Sequence, residues 1–173
     1  MKIYTAPFFA LIFCSCFFIQ CKQPVPAENT QQQLVNTGRY LFYDRRLSVN
    51  NTRACGSCHA QEFSFTDSYV RSIGALGDLH QRNARPLINL TGNKYFTSAD
   101  SSITTLEQQI NNPMFNTHPV EMGIKGNETA ILQKIKADTL YRRLFAAAFP
   151  NQPNAVTIEN VKKALVAFEQ NIT

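Results

Sequence analysis

Cys55-Gly56-Ser57-Cys58-His59 decides the fold of this chain. Two cysteines separated by two residues and followed at once by histidine form C-x-x-C-H, the pattern of c-type haem attachment. The spacing has a physical basis. Two intervening residues let one short helical turn carry both sulfurs to the two vinyl groups, giving two thioethers. Small Gly56 and Ser57 keep that turn clear of the porphyrin edge, and His59 falls under the iron as its proximal ligand.

Two other chemistries use such cysteines. A zinc site needs two more ligands, and only His59, His80, His118 and the carboxylates remain to supply them, without a second C-x-x-C. A thiol–disulfide pair is the other reading, but no βαβ pattern surrounds the motif. The five cysteines also divide cleanly. Cys14, Cys16 and Cys21 lie in an apolar leader, and Cys55 and Cys58 alone lie beyond it.

That leader begins with basic Lys2 and runs apolar and Phe-rich from Ala6 to Ile19, too short to span a bilayer comfortably and suited to an export signal. A cysteine closing the run at Cys21, before the polar stretch Pro24–Gln33, is the layout of a bacterial lipoprotein signal. Cys16, preceded by Ser15, is a rival site, and an ordinary cleaved signal is the plainer alternative. The expected organisation is a lipoprotein-type signal over 1–20, a tether over 21–33 and a haem domain over 34–173. The mature domain is expected outside the cytoplasm, in the periplasm, touching the membrane only through a lipid anchor on Cys21.

The net charge of +5 is modest and its cations are scattered, which argues against nucleic-acid binding. Arg45, Arg46, Arg53 and Arg82 are near enough in sequence to pair with haem propionates, though for any single one a solvated surface charge is the favoured reading.

The pattern predicts a mainly α, cytochrome c-like haem domain with long irregular loops. An amphipathic helix is expected over 29–41. Residues 43–104 read as irregular chain, long for an ordinary domain but suited to wrapping a cofactor. Thr105-Leu106-Glu107-Gln108 is a capping box opening a short helix that Pro113 should stop. Asn127, Asp138 and Thr157 are expected to cap three further helices, the last with an apolar stripe of Ile158, Val161, Leu165, Phe168 and Ile172.

Taken in order, the segments resemble the N-terminal half of bacterial dihaem cytochrome c peroxidases, including related dihaem enzymes that oxidise protein tryptophan. Gly38-Arg39-Tyr40-Leu41-Phe42-Tyr43-Asp44 and Arg46-Leu47-Ser48 resemble the approach to the family's first haem motif. Phe65-Thr66-Asp67, then Arg82-Asn83-Ala84 with Leu87 and Asn89, resemble the blocks after it. Leu106-Glu107-Gln108-Gln109 and Pro119-Val120-Glu121-Met122-Gly123 resemble the last two.

The resemblance implies one covalently bound haem c, at which hydrogen peroxide is reduced with electrons from a small donor cytochrome or copper protein. It implies a distal pocket of Gln109, Pro113 and Glu121. A carboxylate there can move a proton between the oxygens of peroxide, an amide can orient the substrate, and proline keeps the space compact and dry. On residue type alone Glu121 reads as a helix-end or surface carboxylate, and only the motif context reverses that; Gln109 reads equally as a surface helix amide. His80, on a loop that Gly74 and Gly77 would let move, matches a histidine that caps the iron in some family members and reads equally as a solvated loop histidine; His118 fits less well. Asn83 matches one ligand of a calcium site whose other ligands belong to a second domain.

The chain departs from the family in three ways. The sequence stops at Thr173 where the family continues into a second domain with its own C-x-x-C-H; the reading is a fragment, half of a split enzyme partnered by a separate second haem domain, or a domain turned to another use. No tryptophan is present, and Tyr95-Phe96-Thr97-Ser98-Ala99-Asp100 stands where one is frequent. The stretch from Pro113 to Glu121 is longer than in many members. The alternative function is a monohaem electron-transfer module with Met114 or Met122 opposite His59; the bland reading of both methionines is core packing.

Overall fold

The computed structural model describes residues 27–173. The leader, its three cysteines and the start of the tether lie outside the described residues. Seven helices occur in order: α1 (Ala27–Phe42), α2 (Cys55–Cys58), α3 (Leu106–Gln109), α4 (Asn111–Phe115), α5 (Glu128–Ala137), α6 (Thr139–Ala148) and α7 (Ile158–Glu169). Single 3-10 turns at Arg45–Leu47, Gln61–Phe63 and Leu90–Gly92 punctuate the long connection. Among the described residues there is no strand, only two isolated bridges, Ala60 with Thr66 and Ile73 with Leu79. The mainly α expectation holds. The first helix opens at Ala27, two residues before the expected start, and takes in residues 27–33 of the polar stretch.

The first and last helices form the scaffold. Leu34, Thr37–Gly38 and Leu41 recur at helical spacing on α1 and face α7 and α6. Gly38 makes the crossing close. A Cβ there would lie 1.9 Å from the Ala164 carbonyl oxygen and 2.8 Å from Phe168 Cβ. Thr37, fully buried beside it, donates its hydroxyl to the Gln33 carbonyl at 2.7 Å and reaches the Leu144 carbonyl at 3.4 Å. On α7, Val161 and Leu165 of the expected stripe are buried, while Ile158 and Phe168 pack at its margin.

The helix ends follow their capping chemistry, with two corrections. Thr105 Oγ1 accepts from Gln108 N at 3.2 Å and Gln108 Oε1 accepts from Thr105 N at 3.3 Å, closing the capping box. Asp138 accepts from Leu140 N, and Thr157 from Asn160 N. Pro113 does not stop the helix. Ile110 stays in the helical region, and Pro113 falls within the first turn of α4, where a missing N–H costs little. Asn127 caps α5 by position only. Its side-chain amide donates to the Gly123 and Lys125 carbonyls instead of accepting from the helix.

One polar cluster ties the start of the irregular chain to the helical layer. Asp44 accepts from Arg46 N, Nε and Nη2, and from the Tyr141 hydroxyl at 2.7 Å; Arg46 also reaches Asp138 at 3.0 Å. The arginine and tyrosine hydrogen bonds hold the Asp44 carboxyl below the usual range although burial opposes them. Arg45 and Arg46 line a surface groove with Tyr141 and not the cavity of the haem motif, which Arg53 and Arg82 line instead.

Gly38→Ala should lower stability by about 1–3 kcal/mol, because α1 and α7 must move apart to admit the methyl group. Denaturant unfolding of the purified protein measures it.

Candidate haem site

The Cys55–Cys58 turn is one helical turn, as the spacing of the motif requires. His59 N donates to the Cys55 carbonyl at 2.9 Å, and Ser57 Oγ accepts from Ala54 N at 3.0 Å. Ser57 is thus more than a small spacer; its hydroxyl fixes the start of the turn. Gly56 answers to a neighbour within the chain. A Cβ there would meet the Tyr43 ring at 2.6 Å.

His59 is held from behind. Its Nδ1 lies 2.9 Å from the Phe65 carbonyl oxygen. As donor to that carbonyl, Nδ1 carries the proton, which leaves Nε2 with the lone pair a metal needs. Burial lowers the imidazole's affinity for a proton, opposed by the Phe65 and Arg85 carbonyls. The Phe65 carbonyl is aimed by an unusual backbone. Ser64 and Phe65 both have φ of +57°, a left-handed pair that turns the chain back on itself. Ala60 N to Thr66 O at 3.0 Å and Phe65 N to Ala60 O at 2.9 Å close that turn, and the Thr66 hydroxyl donates to the Ala84 carbonyl. The Phe65-Thr66-Asp67 block therefore orients His59.

Cys55, Cys58 and His59 open onto a cavity of about 390 Å³. The same cavity is lined by His80, Gln109, Pro113 and Glu121, the distal residues the sequence singled out. Arg53, Arg82 and Asn83 line it too, as do Met114 and Met122, which are also members of the core. His118 is exposed and does not line it.

Backbone pairing brings the distal residues together across sequence. Met122 N donates to the Pro113 carbonyl and Ile124 N to the Met114 carbonyl, each at 3.0 Å, joining α4 to the Glu121 stretch. Ala75 N donates to the Glu121 carbonyl at 2.7 Å, and Asp78 accepts from Val120 N at 2.9 Å, joining the loop before His80 to the same stretch. The outcome is His80 Nδ1 at 4.0 Å from Glu121 Oε1. Gly74 serves this pairing and not mobility. It is buried, and a Cβ there would lie 1.8 Å from the Val120 carbonyl oxygen. Gly77, at φ +89°, forms the turn.

The electrostatics separate the competing chemistries. Burial pushes the Cys55 thiol well above its ordinary range, with Glu169 and Cys58 adding to it, and pushes Cys58 up to about 11. A thiol–disulfide catalyst needs the opposite, a thiolate stabilised near neutral pH. Among the described residues no three His, Cys, Asp or Glu side chains gather into a metal-binding group, so the motif lacks a zinc set. Two neutral thiols and one histidine with a free Nε2, on one cavity, fit haem c. Calcium fits less well: Asn83 brings one amide to an exposed position, where six to eight oxygens are needed. Glu121 is pushed up to about 7 by burial alone, so near neutrality it can both hold and release a proton.

Glu169, also on the cavity wall, is the residue the sequence reading missed. Its place on α7, one turn after Leu165 of the apolar stripe, was the available signal.

Helices enclosing a cavity that opens on a C-x-x-C-H turn define the cytochrome c class of haem fold. Within that class the chain belongs to the di-haem cytochrome c peroxidase family, which it matches over residues 32–173. It is 31% identical over 152 residues to the cytochrome c peroxidase Ccp of Escherichia coli K12, covering 87% of this chain and 31% of that protein. It is 28% identical over 138 residues to the methylamine utilization protein MauG of Methylorubrum extorquens AM1, covering 80% of this chain and 37% of that protein. The crystal structure of a MauG-like protein associated with microbial copper homeostasis superposes with a TM-score of 0.81 at 37% identity, covering 90% of this chain and 46% of that one. The chain thus spans less than half the length of each.

Gly74→Ala should separate the His80 loop from Val120–Glu121 and lower the thermal midpoint, at a cost of about 1–3 kcal/mol. The haem-loaded protein should also change its ferric absorption spectrum, since His80 and Glu121 both line the cavity; calorimetry and visible spectroscopy read the two effects.

Proposed function

We propose that this chain holds one haem c through thioethers at Cys55 and Cys58, with His59 Nε2 on the iron, and reduces hydrogen peroxide there. The observation that carries the reading is Glu121: a carboxyl on the wall of the haem-motif cavity, with burial pushing it up to about 7. Haem, when bound, supplies the iron through which two electrons reach peroxide.

The chain's own residues supply the rest. Reducing one peroxide to two waters consumes two electrons and two protons, and the O–O bond breaks unevenly only if a proton moves from one oxygen to the other. Glu121, ionised, takes the proton at a carboxylate oxygen and returns it as the neutral acid. Gln109 can donate its amide N–H to peroxide and accept through its carbonyl, fixing orientation. Pro113, its ring on the cavity wall and its carbonyl spent on Met122 N, offers no competing polar group. His80, 4.0 Å from Glu121, is kept from protonation by burial against the pull of Asp78 and Asp67. A neutral imidazole there can ligate the iron or pass a proton to Glu121.

Electrons come from a small donor cytochrome or copper protein, or through a second haem domain of the kind the longer relatives' di-haem family name implies. The apolar 6–19 run and the requirement that haem c be attached outside the cytoplasm support a periplasmic site, with Cys21 as lipid anchor. Asn83 alone cannot hold calcium, which would need further oxygens from such a second domain. A second reading, a monohaem electron-transfer module, draws support from Met114 and Met122 on the same cavity.

Purified haem-loaded chain should react with peroxide at a rate that rises with pH through about 7, as Glu121 ionises. Glu121→Gln should slow that step by roughly 10²–10⁴ and remove the rise; stopped-flow absorbance measures both. An unchanged rate takes Glu121 out of the mechanism. No reaction at all, with a sulfur-to-iron absorption band lost in Met114→Ala or Met122→Ala, establishes the electron-transfer module instead. Changing Cys55 and Cys58 to serine should abolish the covalent haem mass.

A further inference from the structure

Glu169 is a buried carboxyl with an unmade bond. It is 6% exposed, and its Oε2 is the one buried side-chain polar atom among the described residues that has no hydrogen-bond partner. It stands on the last turn of α7, four residues after Leu165, and both line the haem cavity.

Its surroundings offer no counter-charge. The Cys55–Cys58 turn presents two thiols, and Glu169 itself acts on Cys55, as Glu121 does from the 120–122 stretch. From α3 come Leu106 and Gln109, with Glu107 facing solvent. From α1 come buried Leu41 and Phe42, with Arg39, Tyr40 and Tyr43 on the exposed side. The Leu90–Gly92 turn, tied to the end of α7 by Asn89 N to Ile172 O at 3.0 Å, carries no charge. Arg53, Arg82 and Arg85 line the same cavity, but no ion pair of the described residues includes Glu169. Burial alone acts on this carboxyl and pushes it up to about 8.

A leucine or glutamine would fill the position without a titrating group, since a buried polar atom left unpaired costs about 1–3 kcal/mol. What a carboxyl adds is a proton that comes and goes with the charge of the cavity's occupant. When the iron falls by one unit of charge, a carboxylate beside it loses electrostatic support and binds a proton. We propose that Glu169, with its unpartnered Oε2 at the wall of the haem cavity beside Cys55, is a second proton-holding carboxyl of this site. It takes up one proton from water when an external one-electron donor reduces the haem. The balance is one electron to the iron and one proton to Glu169, which converts carboxylate to acid and stocks a proton that peroxide reduction consumes. This rests on haem filling the cavity, as the peroxide reading does, but needs no peroxide chemistry.

The test is the pH dependence of the haem reduction potential, measured by spectroelectrochemistry on the haem-loaded chain. The potential of the wild type should fall with rising pH through the region around 8, because reduction there carries a proton. Glu169→Gln, equal in shape and unable to ionise, should lose the part of that fall around 8 and keep only the part around 7 that belongs to Glu121. A purely structural role for Glu169 would leave the pH dependence in place, and an undiminished fall in Glu169→Gln overturns the proposal. Should Glu169→Gln fail to load haem, Glu121→Gln, which removes the other buried carboxyl of the cavity, decides alone by keeping the fall around 8. Photoreduction in weak buffer at pH about 8, followed with an indicator dye, should take up a substantial fraction of one proton per haem; no uptake overturns the proposal. Proton uptake without any reaction with peroxide would sink the peroxidase reading and leave this one standing.

Discussion

The crossing of α1 and α7 at Gly38 is the contact on which the rest hangs. Helix α1 leads into the Cys55–His59 motif, and α7 carries Leu165 and Glu169 to the wall of the same cavity. A carbonyl against a bare Cα is about as near as two helices come, and here it brings the two ends of the domain to one place. Between them lies a long connection with little regular structure. It is ordered by specific bonds: the Asp44–Arg46–Tyr141 cluster at its start, the Phe65 carbonyl behind His59, and the pairing of residues 74–78 with 120–121.

The division between scaffold and loop explains what was legible in the sequence. Helices report themselves through local rules, so the capping residues Thr105, Asp138 and Thr157 and the stripe on α7 were readable from spacing alone. The motif at Cys55 was readable because its chemistry demands one short turn. Long-range decisions were not. Pro113 looked like a helix stop because the first turn of α4 could not be anticipated. Gly74 looked like a hinge, yet its missing side chain admits the Val120 carbonyl, a neighbour 46 positions away in sequence. Arg45 and Arg46 lie near the haem motif in sequence, yet their corner is shared with Tyr141, far along the chain. Glu169 escaped because a carboxyl at the end of an amphipathic helix ordinarily faces water.

The cavity's titrating groups share one physical theme. Burial moves Cys55, Cys58, Glu121 and Glu169 toward their neutral forms, and it does the same for His59 and His80. The cavity walls therefore carry little fixed charge of their own apart from Arg53, Arg82 and Arg85. Such a site suits a group that brings its own charge and changes it, because in a low-dielectric setting each change is felt strongly by whatever can answer with a proton.

Several walls of the cavity are also members of the hydrophobic core: Leu47, Leu90, Leu106, Ile110, Met114, Ile124 and Leu165. Cofactor and core are one object here. Apolar surface that a porphyrin would cover contributes roughly 25 cal/mol for each Å² removed from water, and without it those same side chains line a hollow centre. Maturation and quality control thereby merge. A chain that has received its haem completes its interior, and one that has not stays soft at the middle, where opening exposes it to proteolysis. The abundance of this protein should then track haem delivery as closely as it tracks synthesis.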